Sequence, residues 1–276
     1  MTANLGTVLE IATATDPGMV RSHNEDSIGT DAQIGLAVLA DGMGGYNAGE
    51  VASGIAVAML TTEMKQALDE YEPQAISSSS GEPAAVALIR ENSAKANAAI
   101  YQTAKSQPQY AGMGTTLVVS LFYDNRMTVG HIGDSRLYRL RGDQFEQITR
   151  DHSLLQEQID SGMISREQAR YSQNKNLVTR AVGIDPEVET EVHTYDVKPG
   201  DIYLLCSDGL SDMVMDEDIH ATLAMLQANL PLAAKQLVQQ ANDSGGRDNI
   251  SVILVRVLEA FEASTGWFAK FKAWFR

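Results

Sequence analysis

The chain has 276 residues, of which 44% are apolar and 21% charged; it is long enough to bury a substantial core, and its composition is that of a globular and not a disordered chain. Acids outnumber bases by 36 to 21, and the net charge of −15 repels nucleic acid and anionic lipid, which excludes a sequence-independent binder of phosphate backbones. The single cysteine, Cys206, excludes a disulfide framework and a cysteine-rich zinc site.

In chain order, a first strand is predicted over 8–15. Residues 21–26 (RSHNED) place Glu25 and Asp26 just ahead of a short strand, and the apolar run 35–40 ends on Asp41, followed by Gly42-Met43-Gly44-Gly45. Leu60, Met64, Leu68 and Tyr71 recur on one face of a helix predicted over 49–71, and Val86, Ile89, Ala96 and Ile100 do the same in the next helix. The serine-rich patch 77–81 between them reads as a short loop. Two β-rich runs, 116–123 and 126–132, flank Asp124-Asn125, which predicts a tight hairpin. A second hairpin is predicted for 136–140 and 145–148 across Arg141-Gly142-Asp143, and consecutive hairpins predict an antiparallel meander. Strands are also predicted at 202–206 and 250–257. Between them runs a helix carrying Ala234, Leu237, Val238 and Ala241, with Pro231 near its start and Gly245-Gly246 past its end. The runs 117–121 and 250–255 are apolar on both sides, so both faces must be covered. Two antiparallel sheets packed together with helices on the outer faces meet that demand: an α+β fold, a four-layer α-β-β-α sandwich.

The chemical signal is where the acids sit. Asp41, Asp134 and Asp208 each follow a predicted strand, Asp248 precedes one, and Glu25 and Asp26 stand before another, most of them beside a glycine. One aspartate next to glycine is an ordinary turn residue, and Asp124, Asp143 and Asp185 are read that way. Five segments with acids at strand ends call for more. The strand ends of one sandwich can converge on one edge, where gathered carboxylates repel and push pKa values up. Hard divalent cations remove that conflict, and oxygen-only ligands favour Mg²⁺ or Mn²⁺. The glycines let the chain turn sharply, and a carbonyl such as that of Gly42 can serve as a further ligand.

These residues resemble the metal-dependent protein serine/threonine phosphatases of type 2C, in their bacterial form. The likeness runs from Arg21 to about Val255 through eight motifs in order: RSHNED (21–26), ADGMGGYNAGEVAS (40–53), GMGTTLV (112–118), GHIGDSRLY (130–138), TRDHSL (149–154), VTRAVG (178–183), CSDGLSD (206–212) and GGRDNISV (245–252). The resemblance implies the same sandwich and hydrolysis of phosphoserine and phosphothreonine in proteins, opposing a bacterial serine/threonine kinase. It implies two Mg or Mn ions between the sheets. Asp41 would bridge both, the Gly42 carbonyl would bind one, and Asp208 and Asp248 the other; Asp134 and Asp208 match the ligands of a third, weaker ion. Arg21 matches the arginine that grips substrate phosphate, Glu25 a residue contacting water on the metals, and Asp26 and Asn249 stand behind the ligands. Arg21, Asp41 and Asp208 are thus the catalytic candidates. Chemistry agrees: paired ions can activate a water and neutralise phosphoryl oxygens, and a guanidinium can hold two phosphate oxygens at once. No covalent phosphoenzyme is needed, and Cys206 reads as a buried small hydrophobe.

Met43 stands where many eukaryotic members of that family carry a histidine proposed as general acid, and it has no proton to give. The expected donor is a water on the metals, with His152 second; the competing reading makes His152 a structural residue capping the next helix. Residues 153–180 resemble the family's flap, expected to affect substrate choice more than the chemical step. The catalytic domain is expected to span 1–259 as a monomer. The tail 260–276 carries Trp267, Phe268, Phe271, Trp274 and Phe275 with a basic fringe, which suits weak contact of 266–276 with a membrane or a partner protein. No basic region followed by an apolar stretch opens the chain, and no apolar run approaches the roughly 20 residues of a spanning helix, so a cytoplasmic protein is expected. The alternatives are a pseudophosphatase that binds phosphoproteins, or another two-metal hydrolase such as a small-molecule phosphatase.

Overall fold

The fold is seen in a computed structural model describing residues 4–45, 47–77, 81–169 and 177–262, with the side chains of 166 and 167 set aside. Its elements are β1 (Leu9–Asp16), β2 (Asp26–Asp31), β3 (Leu36–Met43), α1 (Ala48–Glu70), α2 (Ala84–Ser106), β4 (Gly114–Thr115), β5 (Leu117–Tyr123), β6 (Arg126–Ile132), β7 (Arg136–Arg141), β8 (Gln144–Gln147), α3 (Leu154–Asp160), α4 (Arg166–Ala169), β9 (Glu191–Asp196), β10 (Ile202–Cys206), α5 (Asp208–Ser211), α6 (Asp216–Leu226), α7 (Leu230–Asp243) and β11 (Ile250–Val257). One sheet has the order β1-β11-β10-β7-β8. The other runs β2-β3-β5-β6-β9, with the short β4 beside β3. All pairings are antiparallel.

Three separate cores make the four layers, and the period-two alternation of strands explains them. On β3, Leu36, Val38 and Ala40 pack outward against α1 and α2, together with Leu117, Val119 and Leu121 of β5. The intervening Ala37 and Leu39 face inward, where they join Val118, Phe122 and Met127 against Leu137, Tyr203, Leu205, Ile253 and Val255 of the other sheet. The outer face of that sheet presents Tyr138, Leu204, Cys206, Val252 and Leu254 to α6 and α7. Runs that are apolar on both sides are therefore buried on both sides, as the sequence demands. The hairpin at Asp124-Asn125 has φ of 46° and 53°, the left-handed pair that a two-residue turn needs.

Two expectations are corrected. The meander fails between β6 and β7, which lie in different sheets. Gly133, at φ 103°, turns the chain out of one sheet and into the other, so the second hairpin opens a strand pair in the opposite layer. Tyr71 lies outside the buried face: it is the residue after α1, in extended conformation and 55% exposed. Strand β9 and helix α6 carry no strong sequence pattern and emerge only here. Among the described residues, no helix is long and apolar enough to cross a membrane. The expected tail contact at 266–276 and part of the flap, 170–176, lie outside the described residues.

Candidate functional site

Where the two sheets meet at one edge, a cleft of about 280 Å³ is lined by Arg21, Glu25, Asp41, Gly42, Asp134, Asp208 and Asp248, with Met43, Gly44, Thr116 and Val178 completing the wall. Seven of the nine sequence candidates thus face one space. The other two, Asp26 and Asn249, stand directly behind it.

Each acid is delivered by a different strand end. Asp41 lies near the end of β3, opposite Asp26 in the register with β2. Its backbone is clamped to the start of β5: Thr116 Oγ1 accepts from the Asp41 amide at 3.0 Å, and the Thr116 amide and Thr115 hydroxyl each donate to the Asp41 carbonyl at 2.8 Å. Asp134 sits in the crossing from β6 to β7, with the next residue, Ser135, hydrogen-bonded through its hydroxyl to Thr116 at 2.7 Å. Thr116 therefore fixes two acid-bearing segments at once, and sequence reading missed it. Asp208 opens α5 at the end of β10, and Asp248 precedes β11. Failure of the meander is what brings Asp134 here: the chain changes sheets at 133–135 and carries this carboxylate to the edge where the two meet.

The floor is polar and tightly satisfied. Asn249, 4% exposed, accepts the Glu25 amide at 2.8 Å and donates to the carbonyls of Pro17 at 3.0 Å and His23 at 2.8 Å, so one side chain organises the segment that carries Arg21 and Glu25. Arg21 reaches back to Asp248, Nη2 to Oδ2 at 2.7 Å. Gly42 admits no side chain: a Cβ would stand 2.1 Å from the Gly49 carbonyl oxygen and 2.6 Å from that of Glu25, so the backbones of three segments converge where the Gly42 carbonyl is presented.

Electrostatics define what such a cleft can hold. Five carboxylates and one guanidinium line it. Burial, then the charges of Asp26, Asp208, Asp134 and Asp248, push the Asp41 carboxyl well above its usual range. Burial, then Asp134, Asp212 and Asp248, do the same to Asp208. Asp134 is raised to about 7, chiefly by burial, and Asp26 to about 6 for the same first reason. Asp208 Oδ1 and Asp26 Oδ1 are buried without a hydrogen-bond partner, although buried polar atoms are nearly always paired. Clustered, partly orphaned carboxylate oxygens with a backbone carbonyl beside them fit hard divalent cations, which supply the missing positive charge. An all-oxygen set does not fit a soft metal.

Other expectations resolve plainly. Cys206 is fully buried, and burial drives its thiol up to about 12; it is inert packing. Met43 lines the cleft. His152 does not line it, and its following neighbour, Ser153, caps α3 by accepting the Gln156 amide at 3.2 Å. The capping role expected for His152 thus belongs to Ser153, and the His152 ring bonds instead to the Gly133 amide and to Glu191. From the flap, Val178 reaches the cleft wall.

A family model for protein phosphatase 2C matches residues 20–243. The serine/threonine protein phosphatase PstP of Mycobacterium tuberculosis is 39% identical over 259 residues, covering 93% of this chain and 46% of the relative, so the chain spans about half the length of PstP. The serine/threonine phosphatase Stp of Listeria innocua is 36% identical over 245 residues, covering 87% of this chain and 93% of that one. A crystal structure of the M. tuberculosis PstP superposes with a TM-score of 0.81 at 39% identity, covering 91% of this chain and 99% of the other. The PstP catalytic domain in complex with two manganese ions does so with a TM-score of 0.79 at 38% identity and the same coverage.

Proposed function

The chain belongs to the protein phosphatase 2C family, and on that premise we propose that it hydrolyses phosphoserine and phosphothreonine in proteins, using two Mg²⁺ or Mn²⁺ ions held in the acidic cleft. The observation that carries this reading is the meeting of Asp41, Asp134, Asp208 and Asp248 with Arg21 in one cleft, from strand ends spread over both sheets. When bound, the paired ions supply an activated water and a positive field for the phosphoryl oxygens.

The chain's own residues do the rest. Asp41 would serve both ions, the Gly42 carbonyl one of them, and Asp208 and Asp248 the other; all four line the cleft. Asp134, with Asp208, would hold a third and weaker ion. Arg21 keeps one nitrogen on Asp248 and has further N–H groups to grip phosphate oxygens, where a planar guanidinium binds two at once. Asn249 fixes the backbone of Glu25 and with it the Arg21 segment. Asp26, held by the Ser207 hydroxyl at 2.8 Å, backs Asp41. Met43 has no titratable proton, and both ring nitrogens of His152 are engaged elsewhere, with Gly133 and Glu191, so neither protonates the leaving oxygen.

The partners in this reading are phosphorylated proteins, with the enzyme acting as a cytoplasmic monomer against a serine/threonine kinase. A pseudophosphatase requires loss of a ligand or of Arg21, and all are present. Hydrolysis of p-nitrophenyl phosphate by the wild type with Mn²⁺, by the wild type with EDTA, and by Asp208→Asn tests the mechanism. A rate seen only in the first supports it, and equal rates in all three overturn it. A phosphopeptide panel then separates protein substrates from small ones.

A further inference from the structure

Three of the protein's five histidines gather around one carboxylate outside the cleft. His131 on β6 bonds through Nε2 to the Arg150 carbonyl at 2.8 Å, and its ring stacks on that of His152, with centroids 4.6 Å apart and planes 14° from parallel. Glu191, at the start of β9, meets His152 Nε2 through Oε2 at 3.2 Å and His193 Nε2 through Oε1 at 2.9 Å. Two histidines and a carboxylate have the composition of a zinc site, but the hydrogen bonds give His152 other work. The Gly133 amide donates to His152 Nδ1 at 3.2 Å. That uses the Nδ1 lone pair, assigns the ring proton to Nε2 and directs it at Glu191. The Arg180 guanidinium also stands 3.5 Å from Nε2, which opposes a cation there.

His152 holds two structures together. Its amide donates to the Gly133 carbonyl at 2.9 Å, so main chain and ring together grip both backbone groups of the residue before Asp134. On its other side the His152 carbonyl accepts the Thr179 amide at 2.8 Å. The adjacent Ser153 bridges Val178, and Leu154 donates to the Leu177 carbonyl at 2.9 Å. Val178 is part of the cleft wall. One residue therefore ties the turn that presents Asp134 to the segment that returns from the flap, and the ring is buried, 7% exposed.

We propose that His152, oriented by Glu191, is a positioning residue that couples the Asp134 turn to the cleft wall at Val178, so that divalent-ion affinity at Asp134 and phosphopeptide KM change together. The proposal rests on the metal-dependent phosphatase reading above and adds a residue that touches neither metal nor phosphate. Without the Nδ1 acceptor, the buried Gly133 amide loses its partner, a cost of the size that separates tenfold steps in affinity.

The test uses the full chain and the variants His152→Ala, His152→Asn and Glu191→Gln. Mn²⁺ binding is followed by calorimetry, and KM is measured with a phosphopeptide and with p-nitrophenyl phosphate. In His152→Ala, the weakest Mn²⁺ dissociation constant and the phosphopeptide KM should each rise about tenfold, while KM for p-nitrophenyl phosphate, which has no peptide chain to lie along the wall at Val178, stays within about twofold. Asparagine places Oδ1 where Nδ1 was, so His152→Asn should recover Mn²⁺ affinity; a residue needed only for packing would show no such rescue. Should His152→Ala fail to fold, the Asn and Gln variants carry the comparison, with Glu191→Gln expected to raise phosphopeptide KM. Wild-type Mn²⁺ affinity in His152→Ala, or no recovery in His152→Asn, overturns the proposal. Absence of any wild-type hydrolysis with Mn²⁺ would instead overturn the phosphatase reading, and the Mn²⁺ titrations would still decide the role of His152.

Discussion

Stripping the metal should leave a protein that loses stability as pH rises through the range where most proteins are most stable. The Asp134 carboxyl is raised from an ordinary 3.8 to about 7. Between those values the folded chain holds a proton that the unfolded chain has released, so unfolding releases a proton and stability falls with rising pH. At 1.36 kcal/mol per unit, roughly three units amount to about 4 kcal/mol, fully relieved below the unfolded value and fully felt above about pH 7. Asp26, raised to about 6, acts in the same direction, by about 3 kcal/mol on the same scale. These carboxylates interact, so the contributions do not add, and Asp134 alone sets the scale. His131 and His152 oppose the trend. Burial lowers the pKa of each, so their contribution to stability grows as pH rises from the folded value toward about 6.5.

A difference measurement removes the histidines. Wild type and Asp134→Asn share them, so urea denaturation of both proteins in EDTA, from about pH 4.5 to about pH 7.5, isolates the carboxylate. The wild type should lose about 1 kcal/mol per pH unit relative to the variant across that window. Saturating Mn²⁺ should abolish the loss, because the ion replaces the proton as the source of positive charge. A wild-type-minus-variant difference that does not change with pH in EDTA would refute the claim that this carboxyl is buried among like charges.

Three further outcomes are expected. Gly42→Ala puts a Cβ 2.1 Å from the Gly49 carbonyl oxygen and 2.4 Å from its carbon; both are backbone and cannot swing aside, so the denaturation midpoint should fall by the equivalent of about 3 kcal/mol. Asn249→Ala leaves the Glu25 amide and the Pro17 and His23 carbonyls without partners, and should cost about 3 kcal/mol by the same assay and raise KM. Arg21→Ala should lower kcat/KM about a hundredfold yet shift stability by less than about 1 kcal/mol, because its side chain is 52% exposed and its ion pair with Asp248 is weak by location; Arg21→Lys should recover only part of the activity, for want of the planar fork.

Much of this molecule is readable from periodicity. Runs such as Leu36 to Ala40 alternate between two cores with no gap for a polar face, and a strand that is apolar throughout leaves the sandwich as its solution. The acids are equally legible, since an aspartate ending such a run has no reason to be there as a turn alone. What the sequence hid is set by tertiary contacts. Gly133 carries the chain between sheets, yet a Gly-Asp-Ser turn looks like any hairpin. Thr116 reads as a β-branched strand residue, although its hydroxyl and amide fix both Asp41 and the Asp134 turn. Strand β9 (EVHTYD) is half exposed and charged, so its pattern is faint; β6 and not its own composition makes it a strand.

The placement of those hidden residues explains why the cleft can be so unfavourable and still persist. Phe122 and Tyr203 meet edge to face, with centroids 5.2 Å apart, in the core between the sheets, and that core holds the two layers together without help from the acids. At the cleft, hydroxyl and amide side chains take over: Thr115 and Thr116 hold the Asp41 backbone, the Ser135 hydroxyl holds that of Thr116, and Asn249 holds the segment 17–25. None of these contacts involves a carboxylate oxygen of Asp41, Asp134 or Asp208. The carboxylates are held in place by their own main chains, so their side chains can repel one another and leave oxygens unpaired. A site built from mutually satisfied side chains would have to break bonds before it could bind an ion. Here the cost of gathering the charges is borne by the two packed sheets, and binding an ion relieves it.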